Sequence, residues 1–193
     1  DSRILNLLEK FLKQGVMESM TGWNPTETGT PQGAVISPLL ANVYLNPLDH
    51  QMAAAGWEMV RYADDFVILC RREAEAQNAL AAVRQWVNEA GLTLHPEKTR
   101  VVDARAPGGF DFLGFNIRRY RNGKLLIKPS KEAVRRIRKR LAAEVKALHG
   151  ANAEAVISRL NPIIRGWAAY YRSVVSKETY SSLDHYVWRL TYR

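Results

Sequence analysis

Tyr62-Ala63-Asp64-Asp65 sets two adjacent carboxylates between two runs that read as β-strand, Met59 to Tyr62 and Phe66 to Cys70. In a continuous strand successive side chains point to opposite faces, so neighbouring acids would diverge. A turn at a small residue such as Ala63 can aim them the same way. Two like charges at that range repel, and a divalent cation that prefers oxygen donors relieves the repulsion. Aspartate is equally at home in a solvated hairpin turn, where it bonds local backbone. The tetrapeptide alone leaves both readings open, and its surroundings decide between them.

Upstream lies Thr30-Pro31-Gln32-Gly33-Ala34-Val35-Ile36-Ser37-Pro38-Leu39-Leu40-Ala41-Asn42. Downstream follow Leu92-Thr93-Leu94-His95-Pro96-Glu97-Lys98-Thr99, then Phe112-Leu113-Gly114-Phe115, and finally Ile164-Arg165-Gly166-Trp167-Ala168-Ala169-Tyr170-Tyr171-Arg172. In this order and spacing the chain resembles a reverse transcriptase of the group II intron type. The resemblance implies an α+β fold. Residues 1–117 would be the C-terminal part of a polymerase palm, an antiparallel sheet with packing helices. Residues 118–193 would be a mainly helical thumb, or maturase-specific, region.

The same resemblance implies an RNA-directed DNA polymerase that also binds intron RNA as a maturase in splicing and mobility. Its partners would be group II intron RNA, an RNA template with a DNA primer, and deoxynucleotides. Asp64 would be the main ligand of a two-ion Mg²⁺ site, with Asp65 the second acid. Pro31, Gln32 and Gly33 would line the site of the incoming nucleotide, and Lys98 would lie near the departing pyrophosphate. Phe112, Leu113, Gly114 and Phe115 resemble the primer-gripping hairpin. The family draws a further metal-binding aspartate from a strand upstream of Pro-Gln-Gly, and Asp1 has no strand before it to take that part. The implied metal pair is therefore incomplete, and the chain alone is expected to be inactive. The alternative is a non-catalytic maturase piece that binds intron RNA and assists its folding.

These assignments have physical counterparts in the residues. Gly33 lacks a Cβ and lets backbone approach a substrate, Pro31 restricts the preceding bend, and the Gln32 amide both donates and accepts. A tight loop entering a helix would use proline and glycine in the same way. Ala34 stands where many family members have a second glycine, which leaves the close-approach role with Gly33. The Lys98 ammonium can neutralise charge on a leaving group or donate a proton, although a loop lysine is ordinarily just solvated. His95, beside Pro96, reads as structural.

The chain has 193 residues, 47% of them apolar, enough for one sizeable core or two small ones. No apolar run approaches the ~18 residues that indicate a membrane span. Asp1-Ser2-Arg3 does not open a signal peptide, and Cys70, the only cysteine, excludes an internal disulfide and any zinc site built from paired cysteines. The expected setting is reducing and cytoplasmic. Charge is unevenly divided. Residues 118–193 hold 18 Lys/Arg and 5 Asp/Glu, a balance of +13, whereas residues 1–117 hold 10 and 14, a balance of −4. A field of that sign on the C-terminal part suits a polyanion such as RNA.

Hydrophobic periodicity predicts a helix from Ile4 to Leu12 that ends near Gly15, a loop from Thr21 to Gly29, and a helix capped by Ser37 that runs from Leu39 to Leu45 until Pro47 stops it. A packing helix follows between Ala74 and Ala90, closed by Gly91. Asp103 to Gly109 is a connector, and Phe112 to Phe115 reads as a short apolar strand. Asn122-Gly123 marks a hairpin between Ile117–Tyr120 and Lys124–Ile127. Beyond the N-cap candidate Ser130, Val134, Ile137, Leu141, Val145 and Leu148 repeat at helical spacing. The other face carries Arg135, Arg136, Arg138, Lys139 and Arg140, of which Arg135, Arg136, Arg138 and Lys139 are the RNA-contact candidates. Trp167, Tyr170 and Tyr171 suit both base stacking and a packed helix face. Trp167 and Tyr171 are read as packing, Arg165 and Arg172 as RNA contacts.

Overall fold

The computed structural model describes residues 1–13, 15–18, 22–24 and 34–192. They divide into two compact units, Asp1–Thr99 and Arg100–Arg193. In the first, α1 (Ser2–Leu12) begins at Asp1, whose carboxylate accepts from the Arg3 N–H at 2.9 Å. A short antiparallel pair follows, β1 (Val16–Glu18) and β2 (Gly22–Asn24). β2 lies within the stretch expected to be a loop; the remainder of that stretch is outside the described residues.

Helix α2 (Ser37–Ala54) departs from expectation at both ends. Its N-cap is Ile36, so Ser37 and Pro38 are the first two helical residues, and the helix continues past Pro47. Interior proline costs about 3 kcal/mol. Beyond it Leu48 and Met52 are both fully buried, and burying two such side chains contributes about 1.5–3 kcal/mol each, which outweighs the break. They pack with Val83 and Val87 of α3 (Glu73–Glu89), the helix predicted between Ala74 and Ala90. Gly91 follows it with φ +68°, as a C-terminal glycine should.

Between these helices runs a hairpin of β3 (Glu58–Tyr62) and β4 (Asp65–Leu69), with Tyr62 paired to Asp65 and Arg61 to Phe66. Residues directly opposite share a face. Met59, Arg61, Phe66 and Ile68 face the helices, and Val60, Tyr62 and Asp65 face outward.

The second unit holds a three-stranded antiparallel sheet in the order β5 (Phe110–Phe112), β6 (Phe115–Arg119), β7 (Leu125–Pro129). Leu113-Gly114 is therefore not strand but the two-residue turn joining β5 to β6, with φ +49° and +82°. Positive φ at both central residues suits Asn-Gly; leucine there is strained by roughly 1–3 kcal/mol. Tertiary bonds hold it. The Gly114 carbonyl accepts from the Ser130 N–H at 2.8 Å and the Tyr171 hydroxyl at 3.1 Å, and the Leu113 carbonyl accepts from the Tyr170 hydroxyl at 3.0 Å. Asn122-Gly123 does mark the next turn, but as part of a three-residue loop with Gly123 alone at positive φ. β6 bonds to both of its neighbours and runs through residues 117 and 118, so in space this hairpin belongs with the helices that follow.

Three helices complete the unit: α4 (Lys131–Ala147), α5 (Ala153–Tyr171) and α6 (Lys177–Thr191). Ser130 caps α4 as predicted, its hydroxyl accepting from the Ala133 N–H at 3.1 Å. Ile137, Leu141, Leu160 and Leu183 form the buried centre. Small antiparallel sheets beside helices bear out the α+β expectation.

Two pairs of variants test this packing. Leu141→Ala should cost about 2–5 kcal/mol, whereas Leu5→Ala, at a residue 65% exposed, should stay within about 0.5 kcal/mol, both read by urea unfolding with circular dichroism. A Cβ on Gly114 would lie 2.8 Å from the Tyr171 hydroxyl, in a backbone already at φ +82°. Gly114→Ala should therefore destabilise by about 1–3 kcal/mol. Gly166→Ala, mid-helix with open space around it, should be neutral or stabilise by up to about 1 kcal/mol.

Candidate metal turn and nucleic-acid surface

Asp64 and Asp65 sit at the end of the β3–β4 hairpin. The connection is two residues long, Ala63-Asp64, with Ala63 at φ +55°. A positive φ at the first central residue only is the pattern of a II′ turn, which matches the twist of the flanking strands and normally takes glycine there. Both carboxylates are exposed, and neither has a hydrogen bond or ion pair among the described residues. They are hard oxygen donors on adjacent residues held by paired strands, which fits part of a divalent-cation site. No group of three or more candidate ligand side chains occurs among the described residues.

Beneath the turn lies an interaction that the sequence reading missed. The Arg61 guanidinium donates from Nε and Nη2 to the two Asp49 oxygens at 2.8 and 2.5 Å, and from Nη1 to the Asn42 Oδ1 at 2.9 Å and the Ala63 carbonyl at 2.8 Å. Asn42 and Asp49 are seven residues apart on α2, two turns along one face. The Arg61 side chain is only 11% exposed. Its hydrogen bonds to Asp49 hold that carboxyl below its ordinary value. An arginine in the inward register of an apolar strand was the one sequence signal that could have drawn attention to it.

The other predicted residues belong to several different elements. Pro31, Gln32 and Gly33 lie outside the described residues, and α2 begins a few residues after them. Lys98 is exposed in the loop after α3. Phe112 to Phe115 belong to the second unit, where Phe115 stacks on Tyr170 with centroids 5.0 Å apart. Tyr171 is buried and Trp167 packs against it at 4.6 Å; burial pushes the Tyr171 phenol above its ordinary value, which keeps it a donor to Gly114. Arg135, Arg136, Lys139, Arg165 and Arg172 are exposed. Arg135 also pairs with Glu132 at 2.7 Å. Arg138 departs from its expected place on the solvent face. It is half-buried, donates to the Ser182 hydroxyl at 2.7 Å and lies over the Tyr186 ring, because its position on α4 turns it toward α6.

Residues 2–117 match the family described as reverse transcriptase (RNA-dependent DNA polymerase), and residues 131–193 match the group II intron maturase-specific domain. Among curated proteins, the group II intron-encoded protein LtrA of Lactococcus lactis subsp. cremoris is 49% identical over 49 residues, 25% of this chain and 8% of the relative. Protein YkfC of Escherichia coli (strain K12) is 28% identical over 155 residues, 63% of this chain and 40% of the relative. A Pol polyprotein from the type-1 retrotransposable element R1 of Nasonia vitripennis is 32% identical over 77 residues, 37% of this chain and 23% of the relative. The chain thus matches less than half the length of each of these relatives. A hairpin ending in paired acids, a sheet whose β5–β6 turn docks on α5, and a match covering both segments agree: the chain belongs to the reverse transcriptase (RNA-dependent DNA polymerase) family, in its group II intron-encoded maturase branch.

Proposed function

We propose that this chain is the palm and thumb portion of an enzyme that copies RNA into DNA, with Asp64 and Asp65 as Mg²⁺ ligands. The observation that carries the proposal is the Ala63-Asp64 turn, which leaves two neighbouring carboxylates solvent-facing and unpartnered, among the described residues, at the tip of a paired hairpin. The reverse transcriptase family in general uses divalent metal ions. Bound ions in such a site stabilise the attacking and leaving oxygens of an in-line displacement at phosphorus. The chain's own residues supply the rest. Asp64 and Asp65 offer oxygens from rigid backbone, and Lys98 offers an ammonium for the charge that develops on the departing pyrophosphate. Pro31, Gln32 and Gly33 seat the incoming deoxynucleotide, and the Phe112–Phe115 turn grips the primer end.

A maturase role rests on the second unit. Arg136, Lys139 and Arg140 project from the outer face of α4 without ion-pair partners among the described residues, and Arg165 and Arg172 add exposed guanidinium groups on α5 and at its C-cap. That density of cations suits phosphate contacts with a structured RNA.

Joined to an upstream palm and fingers segment that supplies the third acid, the chain should extend a DNA primer on an RNA template with Mg²⁺ and deoxynucleotides. Asp64→Ala should lower single-nucleotide incorporation by on the order of 10³-fold, because removing one member of a catalytic unit disables the whole. A folded D64A protein that incorporates at the parental rate would refute the proposal.

RNA affinity measured against salt reports on the basic face separately. Replacing Arg136 and Lys139 by Gln should reduce the slope of log K against log salt by about 0.7 for each single-stranded phosphate that is no longer neutralised. Arg138→Gln should leave the slope unchanged, since that guanidinium is engaged with α6. Equal slopes for all variants would place the RNA elsewhere.

A further inference from the structure

We infer that Arg61 is a positioning residue for the metal turn, and that it ties the turn to helix α2. This rests on the reading of Asp64 and Asp65 as metal ligands. The decisive bond is the one from Arg61 Nη1 to the Ala63 carbonyl, at 2.8 Å. That carbonyl lies in the same peptide plane as the Asp64 nitrogen and Cα. Fixing the oxygen fixes the orientation of the plane, and with it the direction in which Asp64 leaves the backbone.

The turn needs such a restraint. Ala63 occupies φ +55°, a region that residues with a Cβ adopt at a cost of about 1–3 kcal/mol and keep only when their surroundings enforce it. Arg61 can enforce it because its own position is set by others. Two of its nitrogens are paired with Asp49 in a fork, a third bond goes to Asn42, and the strand register directs the side chain inward beside Met59. A planar guanidinium with all three nitrogens engaged has little freedom left. Lysine would keep the charge but could not span Asp49, Asn42 and Ala63 together.

Asn42 and Asp49 are both on α2, which starts at Ser37. A shift of α2 along its axis would carry both acceptors together, and Arg61 would pass that shift to the Ala63–Asp64 peptide. Helix α2 and the metal turn are thereby linked through one side chain. A merely structural ion pair would need only the Asp49 fork; the bond to the turn carbonyl is what assigns Arg61 the further role.

The test uses the 193-residue chain and two readouts by nuclear magnetic resonance: amide hydrogen exchange, and broadening of amide signals by added Mn²⁺. Arg61→Ala alone would leave Asp49 without its partner and could unfold the hairpin. The informative variant is Arg61→Met with Asp49→Leu, which removes both charges together and keeps apolar volume. In it, exchange at the Asp65 amide should rise at least tenfold relative to the Val83 and Val87 amides of the core. The Mn²⁺ concentration that half-broadens the turn signals should rise at least tenfold as well. Arg61→Lys should fail to restore either readout. An Asp65 amide and a Mn²⁺ midpoint both unchanged in the double variant would overturn the inference. If that variant does not fold, Asn42→Ala decides: a smaller rise in Asp65 exchange supports the inference, and no rise overturns it. Mn²⁺ that broadens no turn signal even in the parent chain would defeat the metal-ligand reading instead, and the exchange data would still determine whether Arg61 holds the turn.

Discussion

A two-residue connection between antiparallel strands must put at least one of its central residues at positive φ if the strands are to keep their twist. Here that demand falls on Ala63, at φ +55°, and the geometry of the acid pair depends on its being met. With Tyr62 paired to Asp65, the acids occupy the last turn position and the first strand position, adjacent and both free of partners among the described residues. Slipping the register by one residue would either send Arg61 outward or turn Asp65 toward the helices. Arg61 opposes that slip: burying its guanidinium is tolerable only with the Asp49 carboxylate in front of it.

The second unit solves a similar problem with different chemistry. Leu113 and Gly114 both carry positive φ, and the restraint comes from helix α5, whose consecutive tyrosines donate to consecutive carbonyls of the turn. Both tyrosines reach the hairpin, and their rings cluster with Phe115, with centroids 4.8 Å apart between Tyr170 and Tyr171 and 5.0 and 5.1 Å from each to Phe115. In each unit a strained non-glycine turn is held by a polar side chain anchored elsewhere. Turns restrained in this way keep their geometry when a charged ligand approaches.

Much of this was legible in the sequence. The Tyr62–Asp65 turn, the Ala74–Ala90 helix and the Ser130 cap each carry a local signal: strand-flanked acids, apolar spacing with a terminal glycine, a serine three residues before the amide it accepts from. What was not legible depended on partners distant in the chain. Pro47 reads as a helix stop until Leu48 and Met52 are seen to be buried. Phe112 to Phe115 reads as strand because nothing in leucine announces positive φ; Tyr170 and Tyr171 enforce it from far along the chain. Arg138 belongs to the basic face by composition, and only the position of α6 shows that Ser182 and Tyr186 claim it. Arg61 was overlooked for the same reason, since its meaning lies in Asn42 and Asp49.

Cation placement at the turn is the claim on which the polymerase reading stands, and it can be mapped directly. Fe²⁺ bound in place of Mg²⁺, supplied with ascorbate and peroxide, releases hydroxyl radicals that cut backbone close to the ion. Scission should concentrate within a few residues of Asp64, be suppressed by excess Mg²⁺, and vanish in the Asp64→Ala, Asp65→Ala double variant. Cleavage that falls elsewhere, or that persists unchanged in the double variant, would contradict the account.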